Sequence, residues 1–292
     1  MAETAGPTAE DPFASTRMTL GEHLDELRKR LWVGALALLV TFSVALYASD
    51  RITAILLGPF HQCVARLNQK FSEDARALVA EHPERRDQYF APDGSFRYAI
   101  EDRLVALSPT ESMWFVLKVA GYSALFLGSP VLLWQVWLFV SAGLYPRERR
   151  WVWFFLPPGL VLFVLGGLFS FFVLVPFGMY YTQQSVPIEQ VKPSIGLEFY
   201  FDFLFTLSMG MGLVFQLPML MTFVGKVGIV PAESFSRMRG YFVVAAFALA
   251  ALLTPGPDVF SQVCMAAPMI VLYEIGILGA RLAGRRGAGS TA

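Results

Sequence analysis

Six apolar runs, separated by polar segments, dominate the pattern of this 292-residue chain. The runs predict membrane-crossing helices at about residues 31–48, 112–140, 151–181, 197–224, 241–253 and 259–280. A transmembrane helix needs roughly twenty mainly apolar residues, whereas the run at 241–253 offers about thirteen. We therefore expect an all-α membrane protein with six transmembrane helices, the last two forming a short hairpin. Residues 128–130, Pro157, Pro158 and Pro176 predict kinks or interruptions in the second and third helices.

Polar segments flank these runs. Residues 1–18 predict a disordered cytoplasmic leader, residues 19–282 the membrane domain and residues 283–292 a cytoplasmic tail. Thr19 and Glu22 fit a capping box, and leucines at helical spacing follow. A short amphipathic helix is therefore expected in the membrane interface before the first span.

One polar segment, at about residues 50–110, is much longer than the others. It begins with a break at Gly58 and Pro59, and we expect a helix near residues 71–80 and a turn at 92–94. Two interpretations are open for this segment, an elaborated external cap on the membrane domain and a surface for a partner protein.

Basic residues cluster on alternate connections. They are Arg28, Lys29, Arg30, Arg147, Arg149, Arg150, Lys226, Arg237, Arg239, Arg281, Arg285 and Arg286. Such clusters mark cytoplasmic loops, so both termini are predicted to be cytoplasmic. Cys63 should then react with an impermeant thiol reagent from outside, and a tag after Ala292 should be reached only from inside.

The composition supports a membrane location and argues against nucleic-acid binding and against a metal or redox site. Hydrophobic residues make up 55% of the chain and charged residues 16%, against roughly 25% charged residues in soluble domains. The net charge is zero, so no overall field favours nucleic acid. The two cysteines have no metal or redox spacing, so no cofactor is expected.

Two other functional classes are weighed against the sequence. A polytopic secondary transporter or channel is the main alternative, but the chain has no internal repeat and no ladder of membrane carboxylates suited to ion coupling. An intramembrane enzyme is the second alternative. The chain lacks the common hydrolase and phosphate-binding motifs, and its three histidines lie outside the apolar runs.

Several separated segments resemble a known family. They are residues 23–31 (His-Leu-Asp-Glu-Leu-Arg-Lys-Arg-Leu), 134–150, 215–218 (Phe-Gln-Leu-Pro), 253–262 and 273–276 (Tyr-Glu-Ile-Gly). Their order and topology are similar to those of the TatC family, receptors for twin-arginine signal peptides. The resemblance implies a glove-shaped bundle in the bacterial inner membrane that carries folded proteins across, driven by the proton-motive force. It also implies TatA- and TatB-like single-span subunits and further TatC copies as partners.

The resemblance also implies roles for single residues. Those matching the signal-binding positions are Glu26, Leu27, Arg28, Phe139 and Glu148. Those matching structural positions on the external side are Pro59, Asp258 and Gln262. Gln216 stands where many members carry a buried glutamate, so the resemblance implies no charged role for it.

Recognition of paired arginines requires carboxylates, because the planar guanidinium forms bidentate hydrogen bonds with them. Glu26 and Glu148 are predicted at the cytoplasmic ends of different helices, so both could face one ligand, with Arg28, Arg149 and Arg150 limiting their repulsion. From the loop alone, Glu148 is equally explained by a topology signal with one local ion pair. The apolar part of a signal would lie beside Phe139, although packing or lipid contact explains that residue equally well.

Polar residues within the predicted spans need partners or water. Glu198 and Asp202 are expected to be hydrated, and Lys118 to extend to the interface. We expect Glu274 to pair with Arg281. Gln216 lies midway along the fourth predicted helix and has two possible explanations. It forms an interhelical hydrogen bond worth about 0.6 kcal/mol, or it provides a hydrated spot that thins the apolar barrier of the membrane.

Overall fold

A computed structural model describes residues 20–144, 146–184, 194–253 and 259–288. Throughout these ranges the secondary structure is helical, with two isolated bridges and no β-strand. The helices are α1 (Leu20–Tyr47), α2 (Ser49–Leu56), α3 (Gly58–Glu81), α4 (Arg86–Tyr89), α5 (Pro109–Ala142), α6 (Pro146–Phe169), α7 (Val175–Gln184), α8 (Leu197–Val214), α9 (Leu217–Val227), α10 (Ala232–Arg237), α11 (Arg239–Leu253) and α12 (Val259–Ala288). The predicted all-α class is confirmed.

In the described part of the chain, five helical stretches are long and apolar enough to cross a membrane. They are Gly21–Tyr47, Pro109–Ala142, Glu148–Gln184, Leu197–Val227 and Gln262–Gly284. The apolar helix α11 has only fifteen residues, as its sequence predicted. A sixth crossing through α11 therefore stays a prediction. The final helix is longer than expected, with thirty residues.

The first helix is one continuous element of 28 residues, so the expected separate interfacial helix is wrong. Neither glycine nor proline interrupts the chain between Leu24 and Leu31, and the basic residues there lie on the same helix as the apolar run. Helix α1 packs antiparallel on α5, where Gly128 leaves room for Thr41. A Cβ at residue 128 would lie 3.2 Å from the Thr41 hydroxyl.

The third apolar run forms one long rod with an unusual turn. Helix α6 continues through Pro157 and Pro158 and then widens into a π-helical segment at Ser170–Leu174 before α7 begins. The wide turn lies directly before Pro176, whose ring does not fit the interior of a regular helix. Ser170 is fully buried there, and its hydroxyl has no hydrogen-bond partner within the described structure.

The fourth run divides at residues 215–216. Helix α8 ends at Val214, and α9 begins at Leu217 with Pro218 in its first turn, a position that tolerates the missing N–H. Helix α9 then packs closely on α12, because Gly276 and Gly279 allow the two backbones to approach. A Cβ at residue 279 would lie 2.1 Å from the Thr222 hydroxyl oxygen.

Residues 58–108, which we call the cap, pack onto one end of the bundle. Helix α3 starts at Gly58, much earlier than the predicted helix, because Pro59 opens it and apolar residues recur along one face. That face joins the same hydrophobic cluster as Met179 and Tyr200 of the long helices. Asn68 exchanges two hydrogen bonds with the Ile100 backbone, at 2.7 and 3.0 Å. The cap is thus part of the folded core.

Candidate functional site

The end of the bundle opposite the cap carries most of the basic residues on the long helices, and we call it the arginine end. Because α1 and α5 are antiparallel, the start of α1 meets the finish of α5, where Arg30 Nη1 donates to Gln135 Oε1 at 3.4 Å. Lys226 near the finish of α9 lies 4.7 Å from the ring centre of Trp151 near the start of α6. These contacts bring the predicted N-terminal cluster and first basic loop to one end.

The predicted N-terminal cluster meets Phe139 directly. The rings of His23 in α1 and Phe139 in α5 lie with their centres 4.5 Å apart. Glu26 and Leu27 follow one turn later and are half-buried, whereas Arg28 is exposed. The structure therefore places the predicted N-terminal cluster and Phe139 at the same end of the α1–α5 pair, and the contact between them runs through His23, which the sequence did not single out.

Arg30 holds the carboxylate of Glu26. Its Nε donates to Glu26 Oε1 at 2.7 Å, and its Nη2 donates to the same oxygen. The Glu26 side chain is 19% exposed, and within the described structure its Oε2 accepts no hydrogen bond. One carboxylate oxygen is therefore fixed and the other is open to a further donor.

The cation beside Glu26 is therefore Arg30, whereas the sequence suggested Arg28. Arg28 lies 3.9 Å from Asp25, and both of these side chains are largely exposed. An exposed pair at that distance contributes little to stability because water and salt screen it. The spacing of Glu26 and Arg30, four residues apart on a helix, was the signal that could have identified the partner.

Glu148 lies half-buried in the first turn of α6, where the helix N-terminus favours a negative charge. It follows Phe139 by nine residues along the chain. Neighbouring Arg150 places its guanidinium 5.3 Å from the ring centre of Trp151, the ring that Lys226 also approaches. Cation–π contacts therefore anchor the start of α6 to α9.

The expected pair of Glu274 with Arg281 is wrong. Glu274 Oε2 accepts a hydrogen bond from Arg239 Nη2 at 2.8 Å, whereas Arg281 donates to the hydroxyl of Ser236. Residues seven apart on one helix are separated by about 10 Å along its axis, too far for an ion pair. Arg239 lies at the start of the antiparallel helix α11, level with Glu274.

Several charged side chains lie close together at the cap end, near the starts of α5 and α8. Lys118 pairs with Glu198 and, at 3.3 Å, with Asp202, so these carboxylates are not merely hydrated and Lys118 does not simply extend into the interface. Glu111 is buried and accepts backbone hydrogen bonds from Leu107 at 2.6 Å, Ser108 at 3.3 Å and Glu198 at 2.6 Å. This carboxylate joins the starts of α5 and α8.

Gln216 is 5% exposed, and its Nε2 donates to the Gly159 carbonyl of α6 at 2.9 Å. Glycine at 159 provides the space, because a Cβ there would lie 3.3 Å from Gln216 Oε1. This geometry fits the interhelical hydrogen bond expected for a polar residue at that depth. A role for Gln216 in transport or in contacting a partner stays a prediction.

Comparison with known proteins decides the family. A family model described as Sec-independent protein translocase protein (TatC) matches residues 22–268. The chain belongs to the TatC family. A TatC protein of Carboxydothermus hydrogenoformans is 32% identical over 264 residues, covering 90% of this chain and 93% of that protein. The TatCy protein of Bacillus subtilis is 30% identical over 276 residues, covering 94% of each chain.

Solved structures agree with this assignment. A crystal structure of the twin-arginine translocase receptor TatC matches with a TM-score of 0.68 and 29% identity, covering 90% of this chain and 99% of that one. TatC proteins are components of a protein translocase, so the family favours neither the transporter nor the enzyme alternative.

Two of the three positions predicted to be structural on the external side, Pro59 and Gln262, lie in described helices. Pro59 is buried in the first turn of α3 and ends α2 by lacking an N–H; the Tyr200 hydroxyl donates to the nearby Leu56 carbonyl. Gln262 lies half-buried in the first turn of α12. Asp258 lies outside the described residues.

Cys63 is a poor reporter of topology, contrary to the sequence-based expectation. Its side chain is fully buried between α3 and the bundle, and burial raises the pKa of its thiol to about 12. Because the thiolate is the reactive form, Cys63 should resist the reagent from either side. Separately, no group of three metal-ligating side chains was found among the described residues.

Proposed function

We propose that this chain is the translocase subunit that receives twin-arginine signal peptides at the arginine end, which faces the cytoplasm of a bacterium. Folded precursor proteins would be its cargo, and TatA- and TatB-like subunits and further TatC copies its partners. Support comes from the family and from one observation, the junction of His23 and Phe139 with Glu26 beside it. This junction offers a carboxylate and an aromatic surface from two helices.

The carboxylate of Glu26 is suited to a fixed guanidinium. Arg30 occupies Oε1 and orients the group, so an incoming arginine meets Oε2 in a defined direction. Glu148 would receive the second arginine of the pair from the start of α6. An arginine has five N–H donors on a planar group, so it can donate to the one open oxygen of Glu26 and still offer donors to other acceptors, whereas lysine presents a compact point charge; this would favour arginine at the site.

The carboxylates alone do not supply high affinity. A hydrogen bond to a charged group contributes about 1.5–3 kcal/mol, and partial exposure of the site lowers that figure. The apolar part of the signal must therefore add binding energy, for which the half-buried Phe139 and exposed apolar residues of α1 such as Leu31 are available. Two recognition elements on one peptide would give both specificity and affinity.

A double-mutant cycle tests the site. Glu26→Gln and Glu148→Gln should each weaken binding of a twin-arginine precursor about tenfold, measured by equilibrium binding to the purified protein. The double variant should lose less than the sum if the two carboxylates hold one arginine pair. Glu81→Gln, which removes an exposed carboxylate from the end of α3, is the matched control. Unchanged binding in the double variant would exclude this assignment.

The orientation of the chain needs a better reporter than Cys63. Gln88 lies exposed in α4 of the cap, so Gln88→Cys in a Cys264→Ala background should react with an impermeant maleimide applied outside. A tag after Ala292 should be reached only after the membrane is opened. Reaction of Gln88→Cys solely from the cytoplasmic side would reverse the proposed topology.

A further inference from the structure

A groove of about 500 Å³ lies between α3 and α7 at the cap end. Its α3 wall carries Arg66, Gln69, Lys70 and Glu73, which share one helix face. Its α7 wall consists of Pro176, Phe177, Tyr180 and Tyr181. The proposed signal site lies at the opposite end of the bundle, so the groove needs an explanation of its own.

The groove lies at the level of lipid headgroups. Helix α7 completes the candidate span Glu148–Gln184, whose 37 residues would extend about 55 Å, well beyond the roughly 30 Å of a hydrocarbon core. Tyr180 and Tyr181 near its finish therefore match the interfacial band where tyrosines gather. One or two turns earlier, Phe172 and Phe177 are exposed on a surface suited to acyl chains.

Two cations in the groove are available to a phosphate. Lys70 Nζ donates to Gln184 Oε1 at 2.8 Å and lies 5.7 Å from the ring centre of Tyr180, which places its ammonium at the wall. Arg66 is exposed one turn away and forms no hydrogen bond or ion pair within the described structure. Its five N–H groups are therefore open to a ligand.

A carboxylate follows these cations along the same helix. Gln69 Nε2 donates to Glu73 Oε1 at 2.9 Å, and Glu73 Oε2 accepts no bond among the described residues. The face thus presents two positive charges and then a negative one. A headgroup with a phosphate followed by a primary ammonium matches this order, whereas the neutral glycerol of phosphatidylglycerol offers Glu73 no cation and a quaternary ammonium has no N–H to donate.

We propose that this groove binds a phospholipid with a primary-ammonium headgroup, of which phosphatidylethanolamine is the simplest. Arg66 and Lys70 would hold the phosphate, Glu73 the ammonium, and Phe177 the first part of the acyl chains. The bound lipid would fix the cap to the outer surface of the membrane, an activity beyond the recognition of signal peptides.

Lipid binding to the full-length protein tests the proposal. The purified, delipidated chain is titrated with detergent micelles containing phosphatidylethanolamine, phosphatidylglycerol and phosphatidylcholine in equal amounts, and bound lipids are counted by native mass spectrometry. Phosphatidylethanolamine should bind preferentially. The double variant Arg66→Gln and Lys70→Gln should lower its occupancy about tenfold, and each single variant about threefold. Glu73→Gln should abolish the preference over phosphatidylglycerol.

Matched controls come from the same helix. Arg76→Gln and Asp74→Asn remove exposed charges of α3 outside the groove and should leave binding unchanged. Excess inorganic phosphate should not displace the lipid. Displacement by phosphate would identify a site for free phosphate, and full lipid occupancy in the groove variants, or an equal loss in Arg76→Gln, would overturn the proposal.

Discussion

The starts of α5 and α8 at the cap end and the proposed signal site at the arginine end use their charges in opposite ways. At the cap end, Glu111 is buried and accepts hydrogen bonds from three backbone N–H groups, and Lys118 is held between two carboxylates. At the arginine end, Arg28 is 74% exposed and Glu26 has an oxygen without a partner in the described structure. The polar groups at the starts of α5 and α8 thus hold the fold together, whereas the proposed signal site leaves one carboxylate oxygen open.

This difference assigns a mechanical role to each end. Buried polar groups that are fully hydrogen-bonded fix one arrangement of their helices. Exposed charges contribute little to stability and can change partners. The buried contacts of Glu111 therefore fix the starts of α5 and α8, while the exposed charges at the arginine end can change partners without unfolding of the bundle. Three substitutions test this contrast.

The largest effect is expected at the centre of the bundle, where both ends should fail together. Gly166→Ala would place a Cβ 2.6 Å from the Met211 backbone oxygen and 2.9 Å from the Phe215 ring. Overpacking of this kind costs about 1–3 kcal/mol, and backbone cannot move aside easily. Thermal unfolding in detergent and precursor binding should both deteriorate. Gly121→Ala, whose Cβ would meet nothing within 4 Å, is the control and should change neither.

An intermediate effect is expected at the cap end. Glu111→Ala removes the acceptor shared by the starts of α5 and α8, so the apparent melting temperature should fall by about 5 °C. Precursor binding well below that temperature should be unchanged. Asp87→Ala, at an exposed cap position, should leave both measurements unaltered. Loss of binding in parallel with stability would contradict the division of roles.

The smallest effect is expected at the arginine end and should concern selectivity alone. Arg30→Gln frees the Glu26 side chain to rotate, so the preference for a twin-arginine over a twin-lysine precursor should fall about fivefold. The melting temperature should stay the same, because the pair is partly exposed. Lys29→Gln removes a neighbouring exposed charge and should leave the preference intact. An unchanged preference in Arg30→Gln would remove Arg30 from the site.

Features set by local chemistry were predictable from the sequence. The break at Gly58 and Pro59 separates α2 from α3, and the short apolar run of α11 gave a helix of fifteen residues; the helix starting at Gly58 and the division of the fourth helix before Pro218 were not predicted. The family resemblance was likewise carried by local motifs, and the family model confirms it.

Features set by contacts between distant segments were not predictable. Lys118 meets Glu198 across 80 residues, and nothing local distinguishes that partner from water. Glu274 had basic residues available on two helices, and only the antiparallel packing of α11 and α12 selects Arg239. The ring contact of His23 with Phe139 depends in the same way on how α1 lies against α5. The sequence therefore indicated which helices form more readily than it indicated which side chains pair between them.

The wide turn at Ser170–Leu174 determines which faces of α7 point towards the neighbouring helices. A π-helical turn holds one residue more than an α-helical turn, and each α-helical residue advances the helix by about 100°. If the same residues were wound as a regular α-helix, everything beyond them would be rotated by roughly that angle, carrying Tyr180 away from Lys70 and Gly178 away from Phe203. The wide turn thus allows α7 to contact both α8, through Gly178 and Phe203, and the cap helix α3, through Tyr180 and Lys70.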